Sequence, residues 1–153
     1  MKSFTLNSVE DTIKLLESKN IKYEIQYHEP IDTVEMSKTI LQPAKDPTFQ
    51  DNIFPVNMFF KDKKDPNVFY LFVKDPASSV KIDNLPAMAN GGAKGNFRLA
   101  DKDVLSDKLG VAQGSVNPFA LINNPSSVKF LLDKAVHDRD TICIHPMKNL
   151  SSV

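Results

Sequence analysis

The residues best equipped to do chemistry fall in three segments of the 153-residue chain. Gly110-Val111-Ala112-Gln113-Gly114-Ser115-Val116-Asn117-Pro118-Phe119 is a loop whose glycines can turn backbone N–H groups toward a ligand, a developing oxyanion included. Ile144-His145-Pro146-Met147-Lys148-Asn149 places an imidazole at a strand end, where the proline stops the ladder and the ring can face a cleft. Asn57, Phe59 and Lys61 share one face of a strand, a polar pair bracketing an aromatic ahead of the basic run Lys61-Asp62-Lys63-Lys64. Each segment alone has a plainer account: a tight connector, a hydrogen-bonded structural histidine, a solvated edge with hairpin charges. Their combination points to a site.

Other chemistries have less support. His28, His137 and His145 are scattered, and no HxxxH, CxxC or carboxylate-rich loop joins them, so neither a metal nor any other cofactor is expected. In Gly91-Gly92-Ala93-Lys94-Gly95 the lysine precedes the last glycine instead of opening a helix after it, which reads as a surface turn and not a phosphate loop. Ser115 lacks the Gly-x-Ser-x-Gly setting of a nucleophile elbow. The single cysteine, Cys143, lies between Ile142 and Ile144 and reads as a small buried hydrophobe. A lone cysteine excludes an internal disulfide framework and a thiolate zinc cage and fits a reducing compartment, so a cytoplasmic location is expected.

Composition sets the remaining bounds. Hydrophobic residues at 41% and charged residues at 25% are ordinary globular values, and one folded domain over residues 1–153 is expected. Nineteen Lys+Arg balance nineteen Asp+Glu, so a nucleic acid can be captured only through a local basic patch. DNA is not an expected partner. The longest apolar run, Val68 to Val73, falls far short of the roughly 20 residues that span a bilayer, and the Met1-Lys2-Ser3-Phe4-Thr5 start lacks a signal-peptide apolar stretch, so no membrane association is expected.

The elements that must position the three segments follow from periodicity. Ser8 with Asp11 makes a helix N-cap, and Val9, Ile13 and Leu16 repeat at helical spacing up to a stop at Asn20. Ile21, Tyr23, Ile25 and Tyr27 alternate with polar residues, the period of a half-buried strand. Thr33 to Leu41 carries a short helical pattern ended by Pro43, and residues 42–55 form a long proline-containing loop with a possible functional role. Strands over Val56 to Lys61 and Val68 to Val73 form a hairpin, the second buried on both faces. Asp101 caps a helix that Gly110 ends. Strands are then expected at Ala120-Leu121-Ile122, Val128 to Leu132 and Thr141 to Ile144, with a turn at Asn123-Asn124-Pro125. Helices that do not alternate strand by strand favour α+β, with a mixed, mainly antiparallel sheet flanked by helices.

Four segments in register resemble the YbaK/ProX-type aminoacyl-tRNA deacylase family, also described as the prolyl-tRNA synthetase associated domain. Asn57-Met58-Phe59-Phe60-Lys61-Asp62-Lys63-Lys64 resembles the family's Lys-Asn-Leu-Phe-Leu-Lys-Asp-Lys-Lys strand from its asparagine onward. Gly114-Ser115-Val116-Asn117-Pro118-Phe119, with Asp133-Lys134 behind it, resembles its Gly-Ser-Val-Thr-Pro-Phe loop. His145-Pro146-Met147-Lys148-Asn149 resembles its His-Pro-x-Thr-Asn signature. Tyr27-His28-Glu29-Pro30 and Thr33-Val34-Glu35 are similar to its His-x-Pro and Thr-Val-Glu pocket entrance.

The resemblance implies a YbaK/ProX-like α+β domain that hydrolyses the ester of a mischarged tRNA, with alanine on tRNA for proline the leading substrate. It implies a catalytic set of Asn57, Lys61, Gly114, Ser115 and His145, and substrate contacts from His28, Thr33, Val34, Phe59, Pro118 and Asn149. Gly114 and Ser115 would supply backbone donors to the carbonyl oxygen, Asn57 and Lys61 would position the ribose, phosphate or aminoacyl group, and His145 would shape or polarise the pocket. The expected partners are mischarged tRNA and prolyl-tRNA synthetase or a synthetase complex. The chain departs from the family pattern where a lysine usually precedes the asparagine, here Val56, and at Lys148, where threonine is common. It also stops at Ser151-Ser152-Val153, where relatives usually continue into another helix, which fits a shorter variant or a piece of a longer chain. The replacement at Val56 keeps a second function in view, a catalytically weakened module that binds tRNA or a synthetase.

Overall fold

The computed structural model describes residues 8–31, 33–86, 97–123, 128–147 and 151–153. The Gly91–Gly95 turn, Lys148 and Asn149 lie outside these residues, as does most of the 123–125 turn.

Helix α1 (Val9–Ser18) starts where the Ser8 hydroxyl accepts the Asp11 N–H at 3.1 Å, and the chain leaves it through Asn20 at φ 55°, in the left-handed region. Helix α2 (Val34–Ile40) is capped by Thr33, whose hydroxyl accepts the Met36 N–H at 3.1 Å. Between them the structure corrects the expected strand: only β1 (Gln26–Tyr27) is extended in a ladder, paired antiparallel with the two-residue β6 (Ser151–Ser152). Alternation at Ile21, Tyr23 and Ile25 finds no partner strand there, and Ile21 and Tyr27 are 51% and 73% exposed. The Glu24 carboxylate instead accepts the Lys45 and Asp46 backbone N–H groups at 2.8 and 2.9 Å, stapling this segment to the 42–55 loop.

The main sheet has the order β4-β2-β3-β5. Strands β2 (Val56–Asp62) and β3 (Phe69–Lys74) form the expected hairpin, β4 (Phe97–Leu99) pairs antiparallel with β2, and β5 (Val128–Leu132) pairs parallel with β3. The period of two sends Phe59, Phe69 and Leu71 into one core with Leu105 and Leu109, and Phe60, Tyr70 and Phe72 into another with Leu85 and Phe97. Burial of β3 on both faces explains its unbroken apolar run. Among the described residues, no helix is long and apolar enough to cross a membrane.

Helix α3 (Lys102–Leu109) ends at Gly110, φ 71°, where the Asn123 amide closes the helix by donating to the Leu109 carbonyl at 2.8 Å. A Cβ at Gly110 would stand 3.2 Å from that amide nitrogen. Gly110→Ala is therefore expected to destabilise the fold by about 1–2 kcal/mol, measurable as a lowered urea midpoint; an unchanged midpoint would contradict the strain.

Two further strand expectations are corrected. Ala120–Ile122 lies in a 3-10 helix, Pro118–Asn123, because the Asn117 side chain accepts the Ala120 N–H at 3.2 Å and Pro118 supplies a helical φ at the start. Residues 141–144 form no ladder: Ile142 makes an isolated bridge to Ile53, and Ile144 exchanges both backbone hydrogen bonds with Val153 at 2.9 Å. The short helix α4 (Lys134–His137) follows β5, capped by buried Asp133, whose carboxylate also accepts the Asp75 N–H at 3.2 Å and so ties the exits of β3 and β5.

Candidate functional site

His145 is buried, and its Nδ1 lies 3.0 Å from the Ser151 carbonyl and 3.4 Å from Ser152 Oγ. A carbonyl only accepts, so Nδ1 carries the proton and Nε2 keeps the lone pair. The same reasoning applies to His28. Its Nδ1 lies 2.7 Å from the Glu29 carbonyl, leaving Nε2, 2.7 Å from Ser152 Oγ, to accept the serine proton. Ser152 thus joins the two rings, which lie 5.6 Å apart, and Phe54 packs edge-on against His145 at 5.0 Å.

Burial pushes the His145 pKa below its usual 6.5; the Ser151 carbonyl works against that shift and the neighbouring His28 adds to it. A depressed histidine pKa means the unfolded chain binds the proton first. Stability from this group is complete above about pH 6.5 and is lost as pH falls from there through the folded-state value. The urea midpoint is therefore expected to be lower at pH 5 than at pH 7, both above the carboxylate range, and His145→Asn is expected to flatten that difference. Equal midpoints in the wild-type protein would contradict a buried neutral ring. Cys143, beside Ser152, is pushed up to about 11 by burial, with the Ser152 hydroxyl pulling slightly the other way, so its thiol stays protonated at neutral pH.

The glycine loop and the histidine segment meet through Asn117, which is fully buried. Its amide donates to the Ser115 carbonyl at 2.9 Å and approaches Met147 Sδ at 3.7 Å. Met147 has φ 74° and donates its N–H to the His145 carbonyl at 3.0 Å, closing a turn around Pro146 that fixes the ring's backbone. At the start of β2 the Asn57 amide reaches the Pro55 carbonyl at 3.5 Å, next in sequence to the Phe54 ring on His145. Asn57 Oδ1 is buried with no hydrogen-bond partner.

The structure thus joins His28 and His145 through Ser152 and, through Asn117, the His145 segment to the Gly114–Pro118 loop; Asn57 stands at the start of β2, three residues after the Phe54 that packs on His145. It alters the expected roles of several others. The Ser115 N–H is given to the Ala112 carbonyl at 3.0 Å, so in this conformation it is not an oxyanion donor. Gly114, exposed at φ 87°, has no hydrogen bond to its N–H among the described residues. Lys61 is four residues along β2 from Asn57, roughly 13 Å at strand rise, and pairs with Asp101 at 3.7 Å; it belongs to the basic hairpin end, opposite exposed Arg98 on β4, and not to the histidine cluster. Phe59 stacks on Phe69 within the core, 5.7 Å between ring centres, which withdraws it from substrate contact. Thr33 is committed as the α2 cap and Val34 opens that helix. Pro118 lines a cleft, and Asn149 is outside the described residues.

Sequence reasoning missed Ser152, Phe54 and Asn117 as organising residues. Asn117-Pro118 carried a readable signal, a capping side chain followed by proline. Nothing in the sequence marked Ser152, whose position depends on β6 returning to β1.

Residues 28–153 match the model of the aminoacyl-tRNA editing domain. The chain is 30% identical over 135 residues to the prolyl-tRNA synthetase associated domain-containing protein 1 of Bos taurus, covering 87% of this chain and 74% of that protein. It is 28% identical over 150 residues to the prolyl-tRNA editing protein ProX of Acetoanaerobium sticklandii, covering 97% and 85%. In fold it is similar to the crystal structure of the hypothetical protein APE2540, with a TM-score of 0.64 at 15% identity over 92% of this chain and 84% of that one. With the match running from the first histidine of the cluster through Ser152, the chain belongs to the aminoacyl-tRNA editing family of the YbaK/ProX type.

Proposed function

We propose that this chain hydrolyses the ester that joins a wrongly attached amino acid to tRNA, with alanine on tRNA for proline as its substrate. Two observations support the reading: Asn57 Oδ1 is a buried acceptor without a partner, and His145, anchored through Nδ1 to the Ser151 carbonyl, keeps its Nε2 lone pair. An aminoacyl ester presents the matching donors, a ribose hydroxyl and an amino group. Asn57 accepts one of them, Gly114 N–H faces the carbonyl oxygen as negative charge develops, and His145 Nε2 accepts a hydrogen bond from the attacking water or the vicinal ribose hydroxyl. Addition of water to the carbonyl carbon and departure of the ribose oxygen with a proton leave free amino acid and uncharged tRNA. No protein nucleophile is needed, because the ester is already activated. Selection of alanine would come from a small cavity, worth about 1–3 kcal/mol per methylene excluded.

Binding of the tRNA body is assigned to the hairpin end, where Lys61, Lys63 and Lys64 stand near Arg98 on a chain of zero net charge. Such a patch gives weak, salt-sensitive affinity, to which prolyl-tRNA synthetase or a synthetase complex would add.

A second reading has its own support. Val56 stands where the family usually has lysine, the Ser115 N–H is internally bonded and Lys61 is tied to Asp101, an arrangement suited to a module that binds tRNA or a synthetase without turnover. Amino-acid release from alanyl- and prolyl-tRNA for proline, measured with filter binding of both at low and moderate salt, separates the two. Selective release of alanine supports the deacylase. Binding of both without release overturns it in favour of the module.

A further inference from the structure

His28 and His145 meet at one hydroxyl because backbone pairing holds Ser152 between them. On one side Ser152 pairs with Gln26 in the β1–β6 ladder, and His28 follows directly on β1. On the other, Val153 exchanges both backbone hydrogen bonds with Ile144 at 2.9 Å, and His145 is the next residue. Ser152 is 2% exposed, so its hydroxyl needs partners inside the protein. It finds them in His28 Nε2 at 2.7 Å and His145 Nδ1 at 3.4 Å. Burial alone does not produce such contacts: the neighbouring Ser151 hydroxyl is buried as deeply and meets no partner among the described residues. We propose that Ser152 and His28 are positioning residues for His145, a bridge that strengthens the hydrogen bond its Nε2 accepts from the attacking water or ribose hydroxyl; the inference rests on the editing reading above.

The direction of the bonds fixes the role. The Ser151 carbonyl holds the proton on His145 Nδ1, and the Glu29 carbonyl, at 2.7 Å, holds the proton on His28 Nδ1. His28 Nε2 is then an acceptor, the serine proton points at it, and the serine oxygen turns a lone pair to His145 Nδ1–H. Donation runs one way, from His145 through Ser152 to His28, and each bond polarises the next. A ring that donates through Nδ1–H accepts more strongly at Nε2, the part a third group plays for a catalytic base. The bridge acts by hydrogen bonding alone, and no proton crosses it. Both nitrogens of His28 are thereby engaged, which replaces the substrate contact expected of that ring with a supporting one.

The bridge is complete only while His28 is neutral. A proton on its Nε2 turns that atom into a donor, the serine hydroxyl loses its acceptor, and a positive ring 5.6 Å away opposes the charge that gathers on His145. The titratable groups facing Ser152 are His28, at the end of β1, and His145 and Cys143, on the 141–145 segment. The Cys143 thiol, pushed up to about 11, stays protonated through the range in which histidines titrate. Phe54, which packs on His145, carries no charge, and among the described residues no carboxylate or cation is bonded to either ring. Turnover is therefore expected to fall as His28 gains its proton.

The test combines single-turnover hydrolysis of alanyl-tRNA for proline with an NMR pH titration of the 15N-labelled imidazole rings. Ser152→Ala is expected to lower the maximal rate about threefold to tenfold, the contribution of one neutral hydrogen bond, while the chain concentration giving half-maximal rate and the melting temperature stay near wild type. Ser152→Thr, which keeps the hydroxyl, is expected to restore the rate. His28→Ala should match Ser152→Ala, and His28→Gln, whose amide oxygen can accept the serine proton, should retain most of the rate. In the titration, His145 Nδ1 is expected to respond as His28 gains its proton, and Ser152→Ala to shrink that response to what charge alone carries between the rings. A wild-type rate in Ser152→Ala or His28→Ala, or a response that survives loss of the hydroxyl undiminished, would overturn the proposal. If Ser152→Ala does not fold, the half-buried His28 decides, and equal rates in His28→Ala and His28→Gln would overturn it. No alanine release by the wild-type chain would remove the deacylase reading and this role with it, whereas release that is insensitive to the bridge would remove the positioning role alone.

Discussion

His145→Ala is expected to lower the turnover number for alanyl ester hydrolysis by about a hundredfold or more, the range of one lost proton-accepting or hydrogen-bonding group. The effect belongs to Nε2. The Nδ1–H is spent on the Ser151 carbonyl, and burial keeps the ring neutral, so the remaining lone pair is the only basic site the side chain offers at neutral pH. Removing the whole ring also strands the Ser151 carbonyl and leaves Phe54 without its edge-on neighbour, which lowers stability as well. His145→Asn separates the two effects, because an amide N–H can replace Nδ1–H toward Ser151 while supplying no imidazole lone pair. A near-native melting temperature and a lost turnover are expected for His145→Asn. Retained turnover in that variant would reduce His145 to a structural residue.

Leu71→Ala is expected to destabilise the fold by about 2–5 kcal/mol, equivalent to a fall in melting temperature of roughly 5–15 °C for a chain of this size. Leu71 is fully buried on β3, an interior strand flanked by β2 and β5, and packs with Phe59, Leu105, Leu109 and Met147. That cluster includes the residue that turns the chain after His145, so the loss reaches the site: hydrolysis should fall at temperatures where the variant still melts cooperatively. Leu99→Ala, at an exposed position on edge strand β4, serves as the control and is expected to stay within about 0.5 kcal/mol of wild type. A Leu71→Ala cost below about 1 kcal/mol would contradict the packing described.

The parts of this fold that local physics decides were legible in the sequence. Ser8 and Thr33 cap helices as their side chains dictate, Gly110 ends a helix in a conformation glycine favours, and the period of two across Phe59–Phe60 and Phe69–Phe72 divides two cores. What failed depended on distant partners. Alternation from Ile21 to Tyr27 promises a strand, but a ladder can be no longer than its neighbour, and β6 offers two residues. Residues 141–144 likewise make only an isolated bridge to Ile53 and one doubly bonded pair with Val153, where a continuous strand had been expected. At Ala120–Ile122 the apolar run masked the stronger local signal of Asn117-Pro118.

The site was legible as motifs and not as geometry. The spacing marked three segments that share one core through Phe59, Val111 and Met147, yet it could not show that Lys61 faces Asp101 at the far end of β2 or that Phe59 is sealed in the core. Nor could it show that Ser115 spends its N–H on Ala112, since that depends on the turn the loop adopts. The Ser152 bridge between His28 and His145 spans 124 residues of sequence from its first ring, a separation no local pattern encodes.

Single-turnover hydrolysis of alanyl-tRNA for proline, with the chain in excess, decides whether the chain is a deacylase that uses Asn57 and His145. The wild-type chain should release alanine well above the enzyme-free rate, with prolyl-tRNA spared and both Asn57→Ala and His145→Asn reduced toward background. Release no faster than the enzyme-free control, with tRNA still bound, would contradict catalysis by the Asn57–His145 cluster.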